Sequence, residues 1–363
     1  MKKPFVPRAL PLNSLDWVRF ISLIGQANAE LARYDGILQG IVNPKVLLSP
    51  LSTKEAVISS KIEGTQASLE EVLQYEASLD VKTEKYDDIR EIINYREAMR
   101  FAVSWLKDRP ITLNLIKEMH GILLDSVRGK DRGRGKFRTS QNFIGKPGAS
   151  IEQALYVPPE PMSLTEHLSD FEKYIHYNEK DRLVQLAIVH AQFEIIHPFL
   201  DGNGRLGRIL IPLFLCEKGV LQSPMFYISE YLEANRDEYY VKLRAITDEG
   251  NWDDWVEFFL RAIVAQAKAN SAKAKSILAL YEKKKTRITE ITHSQYAIKI
   301  LDTIFANPIL NTTDFIKHSR IPKPSAMRLL KILHKENILS TLAKGGGRRA
   351  EVMMFNKLIH IVA

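Results

Sequence analysis

The sequence predicts an all-α core that carries a β-hairpin flap and is followed by a small C-terminal α+β domain. Three observations support this fold class. Apolar residues recur at helical spacing through most of the chain up to residue 285. Glycine, proline and alternating apolar residues interrupt that spacing at 133–159, which is typical of a hairpin. After residue 285 the pattern indicates three short helices and then two strands.

Length and composition indicate a folded protein with more than one domain. A chain of 363 residues is too long for one small core. Its 45% hydrophobic and 26% charged residues are not the composition of a disordered protein. We expect an N-terminal helical region at 1–110, a core at 111–285 and a C-terminal domain at 286–363. The single cysteine, Cys216, lies in an apolar run and is expected to be a buried packing residue.

The first residues of the chain do not have the pattern of a secretion signal. Pro4, Pro7 and Pro11 occupy the stretch where a signal peptide needs an apolar segment. No apolar run in the sequence approaches the length of a membrane span. We therefore expect a cytoplasmic protein without a membrane partner.

In the N-terminal region, helical spacing predicts one helix near 17–33 and another at 87–107. Between them, Ser52 and Glu55 have the spacing of a capping box, in which both side chains satisfy free backbone groups at a helix start. We expect the helix that follows this box to end near Gly64.

Thr112 is the expected cap of the first core helix, and the flap follows with a turn near Pro147 and Gly148. The lysines at 283–285 are expected to mark the end of the core. The remaining core helices are expected at 164–174, 181–196, 205–218, 229–246 and 252–277.

The C-terminal segment has the element order of a winged helix. Its first helix is expected at 295–305. Thr312 or Thr313 is expected to cap the second helix and Ser325 the third. The third helix is expected to bury Ala326, Leu329, Leu330 and Leu333, and the two strands are expected at 338–342 and 352–355.

Most of the excess positive charge lies in this segment. The chain carries a net charge of +8, and residues 313–349 contain nine Lys or Arg and two Asp or Glu. The charge indicates either an acidic partner, such as nucleic acid, or a solvated helical surface. The residues that could face phosphate are Lys323, Arg328, Lys331 and Lys335 on the third helix and Lys344, Arg348 and Arg349 at the turn.

The run His-Pro-Phe-Leu-Asp-Gly-Asn-Gly-Arg-Leu-Gly-Arg at 197–208 joins two predicted helices through a loop. Gly202 and Gly204 permit backbone conformations that let an anion approach the N–H groups at the start of the second helix. Arg205 and Arg208 lie three residues apart, so both can face one side of that helix and neutralise a polyphosphate.

Two further side chains of this run complete a reaction centre. Asp201 offers a hard oxygen ligand for magnesium, which bridges phosphate oxygens. His197, with an ordinary pKa near ~6.5, suits a general base at neutral pH. Together these residues indicate transfer of a phosphorus centre from a nucleotide to a hydroxyl. His190, seven residues earlier on a predicted helix, is expected to be structural.

The run resembles the signature of the Fic family, His-Pro-Phe-x-Asp/Glu-Gly-Asn-Gly-Arg-x-x-Arg, at every defined position. The resemblance extends over roughly residues 30–265 and implies an all-α fold with the flap beside the active site. It implies that His197 deprotonates the target hydroxyl and that Asp201 holds magnesium on the phosphates of ATP. The residues that it assigns to the nucleotide are Gly202, Asn203, Gly204, Arg205, Arg208 and Asn235, the last on one helical face with Tyr231 and Tyr239.

The same resemblance implies a protein adenylyltransferase, which moves AMP from ATP to a Ser, Thr or Tyr hydroxyl of a target protein and of itself. The flap, at about 143–157, would hold the target by strand addition. Because similar proteins often form dimers that mask the site, a homodimer is expected.

Ser59 and Glu63 match a second motif of the family, Ser/Thr-x-x-x-Glu-Gly/Asn. Their four-residue spacing puts both side chains on one face of the predicted helix. In similar proteins the glutamate pairs with the second arginine of the signature, here Arg208, and occupies the site of the γ-phosphate. The resemblance therefore implies that Glu63 is inhibitory; the alternative is a solvated carboxylate at a helix end.

Two other functions stay open at this point. The C-terminal domain, with its positive charge, could make the protein a DNA-binding regulator. The same fold could also transfer UMP, phosphate or phosphocholine, or it could remove AMP from a modified protein if the glutamate orients a water molecule.

Overall fold

The structure is a computed structural model of the chain. It describes residues 3–77, 85–125, 127, 133–145, 148–345 and 350–363. The predicted turn residue Pro147 and the predicted wing residues Arg348 and Arg349 lie outside this part of the chain.

The chain divides into two compact units. All the predicted site residues belong to the first unit. The predicted division into 1–110, 111–285 and 286–363 is a different partition and stays a prediction. The first unit comprises Met1–Asp35, Ile58–Gly64 and Ile93–Lys268, and the second comprises Gly36–Val57, Thr65–Ile92 and Ala269–Ala363.

Most of the described residues are helical, as predicted. The helices are α1 (Trp17–Gln39), α2 (Pro44–Leu47), α3 (Ser49–Ile62), α4 (Leu69–Glu76), α5 (Tyr86–Trp105), α6 (Leu113–Leu123), α7 (Leu164–Ile175), α8 (Arg182–Ile196), α9 (Asn203–Glu217), α10 (Ser229–Ala234), α11 (Arg236–Glu249), α12 (Trp252–Thr292), α13 (Ala297–Ala306), α14 (Thr312–Ser319), α15 (Lys323–Lys335) and α16 (Asn356–Val362).

Helices α8 and α9 pack against each other and hold the signature loop between them. Asp181 caps α8, because its carboxylate accepts hydrogen bonds from the backbone N–H groups of Leu183 and Val184 at 2.8 and 3.0 Å. Almost every residue of α8 is buried, which is the pattern of a helix surrounded by others. The loop therefore starts and ends on two fixed supports.

Some helix starts were predicted wrongly, because several polar residues near a helix start can serve as its cap. Helix α3 begins at Ser49, so Ser52 lies inside it. A capping box does form before α4, where the Ser68 hydroxyl accepts from the N–H of Glu71. The Thr112 cap of α6 is confirmed by its hydrogen bond with the N–H of Leu115 at 3.2 Å.

Two caps predicted in the C-terminal segment are also wrong. Asn311 caps α14 by accepting from the N–H of Asp314 at 2.7 Å, so Thr312 and Thr313 do not. Ser325 lies inside α15, which begins at Lys323 with Pro324 in its first turn. Proline suits the first turn of a helix because it has no N–H to satisfy there.

Two predicted boundaries in the core differ from the structure. Helix α12 continues through the lysines at 283–285 to Thr292. Lysine is a good helix former, and neither glycine nor proline occurs within α12, so nothing ends the helix there. The helix predicted at 229–246 consists instead of α10 and α11, which meet at Asn235.

The flap segment forms less sheet than predicted. One antiparallel bridge joins Ile144 and Tyr156, with backbone hydrogen bonds of 2.9 and 3.1 Å, and no longer ladder forms among the described flap residues. A short 3₁₀ helix at Ile151–Gln153 lies between the two bridge residues. The hairpin thus amounts to a loop closed by a single bridge.

The C-terminal segment contains a three-stranded antiparallel sheet in the order β1 (Ile309–Asn311), β3 (Val352–Met354), β2 (Ser340–Ala343). The helices and the hairpin occur in the predicted order, and the predicted apolar face of α15 is buried. Leu73 and Ala77 from the α4 region pack with Ile309 and Val352 in one core of the second unit. The assignment of this segment as a winged helix stays a prediction.

Cys216 is half-buried, not fully buried as predicted, and its thiol donates to the carbonyl of Gln222 at 3.8 Å. It lies at the end of α9, where the apolar run meets the surface. Within the described ranges, no helix combines the length and the apolar character needed to span a membrane.

Candidate active site

His197 lies directly after α8 in a left-handed backbone conformation, with φ 47° and ψ 61°. Its N–H still bonds to the carbonyl of Phe193 at 3.0 Å. Its Nδ1 lies 3.2 Å from the carbonyl oxygen of Glu194. Because a carbonyl can only accept, Nδ1 carries the hydrogen and Nε2 of the neutral ring keeps its lone pair.

Burial of the His197 ring lowers its pKa from the usual value to about 4. The backbone carbonyl of Glu194 and the charge of Glu63 oppose this shift, and the charge of Arg138 adds to it. The imidazole is therefore neutral across the physiological range. It can accept a proton there, as the predicted general base requires.

Asp201 and Gly202 form the turn that leads into α9. Gly202 has φ 78°, which glycine adopts without strain. The Asp201 carboxylate accepts from the N–H of Gly202 at 2.6 Å and lies 3.4 Å from Nη2 of Arg205. About a third of the Asp201 side chain remains exposed.

The side chain of Asn203 closes the loop and does not face the predicted anion site. Its Oδ1 accepts from the N–H of Phe199 and its Nδ2 donates to the Phe199 carbonyl, both at 2.9 Å. The buried side chain therefore holds the loop closed. Only the backbone N–H of Asn203, in the first turn of α9, can contribute to an anion site.

Glu63 reaches the start of α9 from the far end of α3. Its carboxylate fills the space above Gly204, where a Cβ atom would collide with Oε1. Oε1 lies 2.6 Å from Nη2 of Arg208. The structure thus brings together Glu63, Gly204 and Arg208, which are up to 145 positions apart in the sequence. It places a carboxylate at the amino end of a helix, where an anion is favoured.

Arg208 is fully enclosed, with 1% of its side chain exposed. Its Nε donates to the Ser59 hydroxyl at 2.8 Å, and Nη2 donates to the Ser59 carbonyl at 2.9 Å. Burial alone would lower its pKa, but Glu63 reverses the sign and raises the pKa. Burial raises the pKa of Glu63, and Arg208 outweighs it, so that the pKa of Glu63 lies below its usual range.

The last turn of α3 is held by residues around the junction of α10 and α11. Nη2 of Arg236 donates to the carbonyl of Ile62 at 2.7 Å, which satisfies one free carbonyl at the helix end. Lys61 lies 3.5 Å from the carboxylate of Glu233. Glu63 is therefore presented by an anchored helix end.

Asn235 lies at the junction of α10 and α11 and not within one continuous helix with Tyr231 and Tyr239. Its Nδ2 donates to the Tyr231 carbonyl at 2.9 Å. Tyr239 is buried, and its hydroxyl lies 3.0 Å from Nε2 of His190. Together with the Gly207 carbonyl at 3.2 Å from Nδ1, this agrees with the structural role predicted for His190.

Three residues near the loop were missed by the sequence analysis. Arg138 donates to the His197 carbonyl at 2.9 Å. His120 stacks on Phe199 and lies 3.1 Å from the Asp201 carbonyl. Burial raises the pKa of the Glu194 carboxyl, which lies near Arg208, to about 8. Their partners are mainly backbone groups or distant residues, so no local spacing could reveal them.

Two family models match this chain. The model for the N-terminal part of the Fic/DOC family matches residues 21–104, and the model for the Fic/DOC family matches residues 110–215. Together they cover more than half of the chain.

Similar curated proteins include two insect proteins named protein adenylyltransferase Fic. The protein from Aedes aegypti is 31% identical over 223 residues, or 56% of this chain and 40% of the relative. The protein from Drosophila mojavensis is 29% identical over 260 residues, or 68% of this chain and 44% of the relative. The chain spans about two fifths of the length of the curated relatives it matches.

Solved structures of Fic proteins share this fold. A Fic family protein from Desulfovibrio desulfuricans G20 is similar over 97% of this chain and 98% of its own, with a TM-score of 0.57 and 16% identity. Fic-1 from C. elegans is similar over 70% of this chain and 71% of its own, with a TM-score of 0.55 and 21% identity.

Proposed function

Because the chain belongs to the Fic/DOC family, we propose that it is a protein adenylyltransferase, which moves AMP from ATP to a protein hydroxyl and is inhibited by Glu63. One observation carries the proposal. The Glu63 carboxylate lies above Gly204 and against Arg208, at the amino end of α9. An anion-binding position is therefore built into the loop, and an anion of the chain itself occupies it.

In the proposed reaction, Nε2 of His197 takes the proton of the target hydroxyl. The hydroxyl oxygen forms a bond to the α-phosphorus of ATP, and the bond to the leaving pyrophosphate breaks. Backbone N–H groups of Gly202, Asn203 and Gly204 would bind phosphate oxygens, and Arg205 and Arg208 would neutralise the leaving group. Arg208 can do so only after Glu63 releases it.

Asp201 is the residue that we propose to hold magnesium, which would neutralise charge on the α- and β-phosphates. Within the described ranges, no group of three or more His, Cys, Asp or Glu side chains could hold a metal ion. Magnesium is often held by one or two carboxylates together with substrate phosphates, which is the arrangement that we propose for Asp201. The partial exposure of the Asp201 side chain beside Arg205 supports this role.

We propose that an extended segment of the target protein adds to the flap at 143–157. Phe143, Ile144 and Leu155 leave 37%, 40% and 44% of their surface exposed there, which is an apolar surface that a partner could cover. Self-modification, a homodimer and a cytoplasmic location belong to the same proposal. Nucleotide contact through Asn235 is also part of it.

The nucleotide specificity can be tested by mass spectrometry of the Glu63→Gly protein after incubation with each nucleoside triphosphate in turn. We expect a covalent addition of the mass of AMP with ATP, because two arginines suit a pyrophosphate leaving group. Label at the α-phosphate of ATP should be incorporated, while label at the γ-phosphate should not. Addition of UMP or of phosphate alone would contradict the proposed reaction.

A second candidate function is nucleic-acid binding by α15. Lys323, Arg328, Lys331 and Lys335 are all exposed along this helix. Glu336, at its end, pairs with Arg287 of α12 within the second unit. The exposed face of α15 therefore carries a row of cations suited to a phosphate backbone.

This second function predicts salt-dependent binding of random duplex DNA, measured by fluorescence anisotropy. Replacing Arg328 and Lys331 by alanine should weaken binding about tenfold and reduce its salt dependence, because each phosphate contact releases counterions. The matched control replaces the exposed Lys299 and Lys357, which lie on other helices, and should bind like the parent. Absence of binding at low salt would instead leave α15 a solvated surface.

A further inference from the structure

Five consecutive carbonyl groups, at residues 195–199, accept hydrogen bonds from the segment that carries the flap. The donors lie between residues 138 and 156. The Tyr156 hydroxyl donates to Ile195 at 2.7 Å, Nη2 of Arg138 to Ile196 at 3.4 Å, Nε of Arg138 to His197 at 2.9 Å, the N–H of Arg138 to Pro198 at 2.9 Å, and Nδ2 of Asn142 to Phe199 at 3.0 Å.

The carbonyls at this point need partners from outside the helix. The last carbonyls of an α-helix have no intrahelical donor. The backbone of His197 also needs outside contacts, because it ends α8 in a left-handed conformation. That conformation costs about 1–2 kcal/mol for a residue other than glycine. Such a conformation persists only where the surroundings hold it. Arg138 supplies three of the five bonds that do so.

Arg138 is buried, with 4% of its surface exposed, and its guanidinium donates hydrogen bonds to the carbonyl groups of four residues. Nη2 also donates to Pro159 at 2.6 Å and Nη1 to Ser140 at 3.4 Å, so the guanidinium joins both ends of the flap segment. Burial lowers the pKa of Arg138, and no carboxylate in the described ranges contributes to the shift. The cost of burying the positive charge of Arg138 is offset by the carbonyl groups and by the negative end of the α8 dipole.

We propose that Arg138 is a positioning residue that fixes the flap and His197 in one geometry, so that a hydroxyl presented on the flap meets Nε2 of His197. The inference rests on the proposed transferase function. Arg138 itself touches neither the nucleotide loop at Gly202–Gly204 nor Arg208 in this structure. Its guanidinium is suited to the task because its planar fork can hold several carbonyls at once, which a lysine ammonium on a flexible chain does not reproduce.

Two variants separate the geometry from the charge. Arg138→Lys keeps the charge but loses the fork, and Arg138→Gln loses both. In the Glu63→Gly background we expect Arg138→Lys to lower kcat for self-modification about tenfold or more while the KM for ATP changes less than about twofold, since a displaced base costs rate and not nucleotide affinity. Arg134→Lys is the matched control, because this half-exposed arginine lies four residues earlier and pairs with Asp125.

The titration of His197 gives a readout that a purely structural role would not move. Burial is the main cause of the low pKa of the imidazole, and the positive charge of Arg138 adds to it. Loss of that charge in Arg138→Gln should therefore raise the pKa of His197, whereas Arg138→Lys should leave it near the parent value. NMR of the labelled imidazole measures this pKa in the full chain, with circular dichroism to show that each variant is folded.

The outcomes distinguish this inference from the proposed function. If Glu63→Gly transfers no AMP, the transferase proposal fails, and the NMR titration alone then decides on Arg138. If Glu63→Gly is active and Arg138→Lys has the same kcat, the positioning role is wrong. The positioning role is also wrong if Arg138→Lys raises the KM for ATP at unchanged kcat. It is wrong as well if the pKa of His197 is unchanged in a folded Arg138→Gln protein.

Discussion

Replacing Glu63 by glycine is expected to raise AMP incorporation about ten- to a hundredfold over the parent protein. The substitution removes the carboxylate that lies above Gly204 and pairs with Arg208 at 2.6 Å. Arg208 and the N–H groups at the start of α9 then become available to a triphosphate. Incorporation of label from α-labelled ATP, with the chain as its own substrate, measures the effect.

The size of this effect follows from the exposure of the pair. A third of the Glu63 side chain remains in contact with solvent, while Arg208 is enclosed. The pair is therefore weaker than a fully buried one, and we assign it about 1.5–3 kcal/mol. Since ~1.4 kcal/mol corresponds to a factor of ten in population, this free energy gives the expected range.

The matched control is Glu249→Gly. Glu249 is also an exposed glutamate at the end of a helix and, like Glu63, is followed by a glycine with positive φ. Both substitutions place a second glycine near a helix end, which is unfavourable for the helix. Of the two glutamates, only Glu63 contacts Arg208. We expect Glu249→Gly to leave AMP incorporation unchanged. Equal activity of Glu63→Gly and the parent would show that Glu63 does not restrain the enzyme.

The contiguous part of the site could be predicted from sequence because its geometry is local. Residues 197–208 form one loop and the start of α9, so their spacing fixes which groups can share an anion. The contact of Glu63 with Arg208 spans 145 positions, and spacing alone does not reach across that distance. Only the family resemblance predicted it, and the structure confirms the contact.

Other features escaped prediction for physical reasons. Arg138 binds backbone carbonyl groups. Because every residue has such a group, the residue types in the sequence do not indicate which ones Arg138 contacts. Helix caps failed where several polar residues compete, as at Asn311 beside Thr312. The long α12 was divided at Lys283–Lys285 because a cluster of charge was given more weight than the helix propensity of lysine.

Replacing His197 by alanine is expected to abolish AMP transfer in both the parent and the Glu63→Gly background. The substitution removes the only ring in the signature loop that can take the proton of the target hydroxyl. General-base catalysis contributes about 10²–10⁴-fold, so the residual rate should fall below detection in the parent and by at least a hundredfold in Glu63→Gly. The same α-labelled ATP assay measures both.

Binding of ATP provides the control for this prediction. His197 lies at the opposite end of the loop from Gly204 and Arg208. We therefore expect the ATP affinity of His197→Ala in the Glu63→Gly background to stay within about threefold of the background, because the phosphate-binding groups are unchanged. A loss of binding comparable to the loss of rate would assign His197 to the nucleotide site instead of to proton transfer.

The pH dependence distinguishes a buried base from an ordinary one. The pKa of His197 is lowered to about 4 by burial, so the ring becomes protonated, and the base inactive, only as the pH falls toward that value. A solvated histidine would lose activity near pH ~6.5. In Glu63→Gly we expect kcat/KM for self-modification to hold from pH 7 down to about pH 5 before it declines. A decline centred near pH 6.5 would mean that the ring is solvated in the working enzyme. In that case the hydrogen bond from Nδ1 to the Glu194 carbonyl would not by itself fix Nε2 as the base.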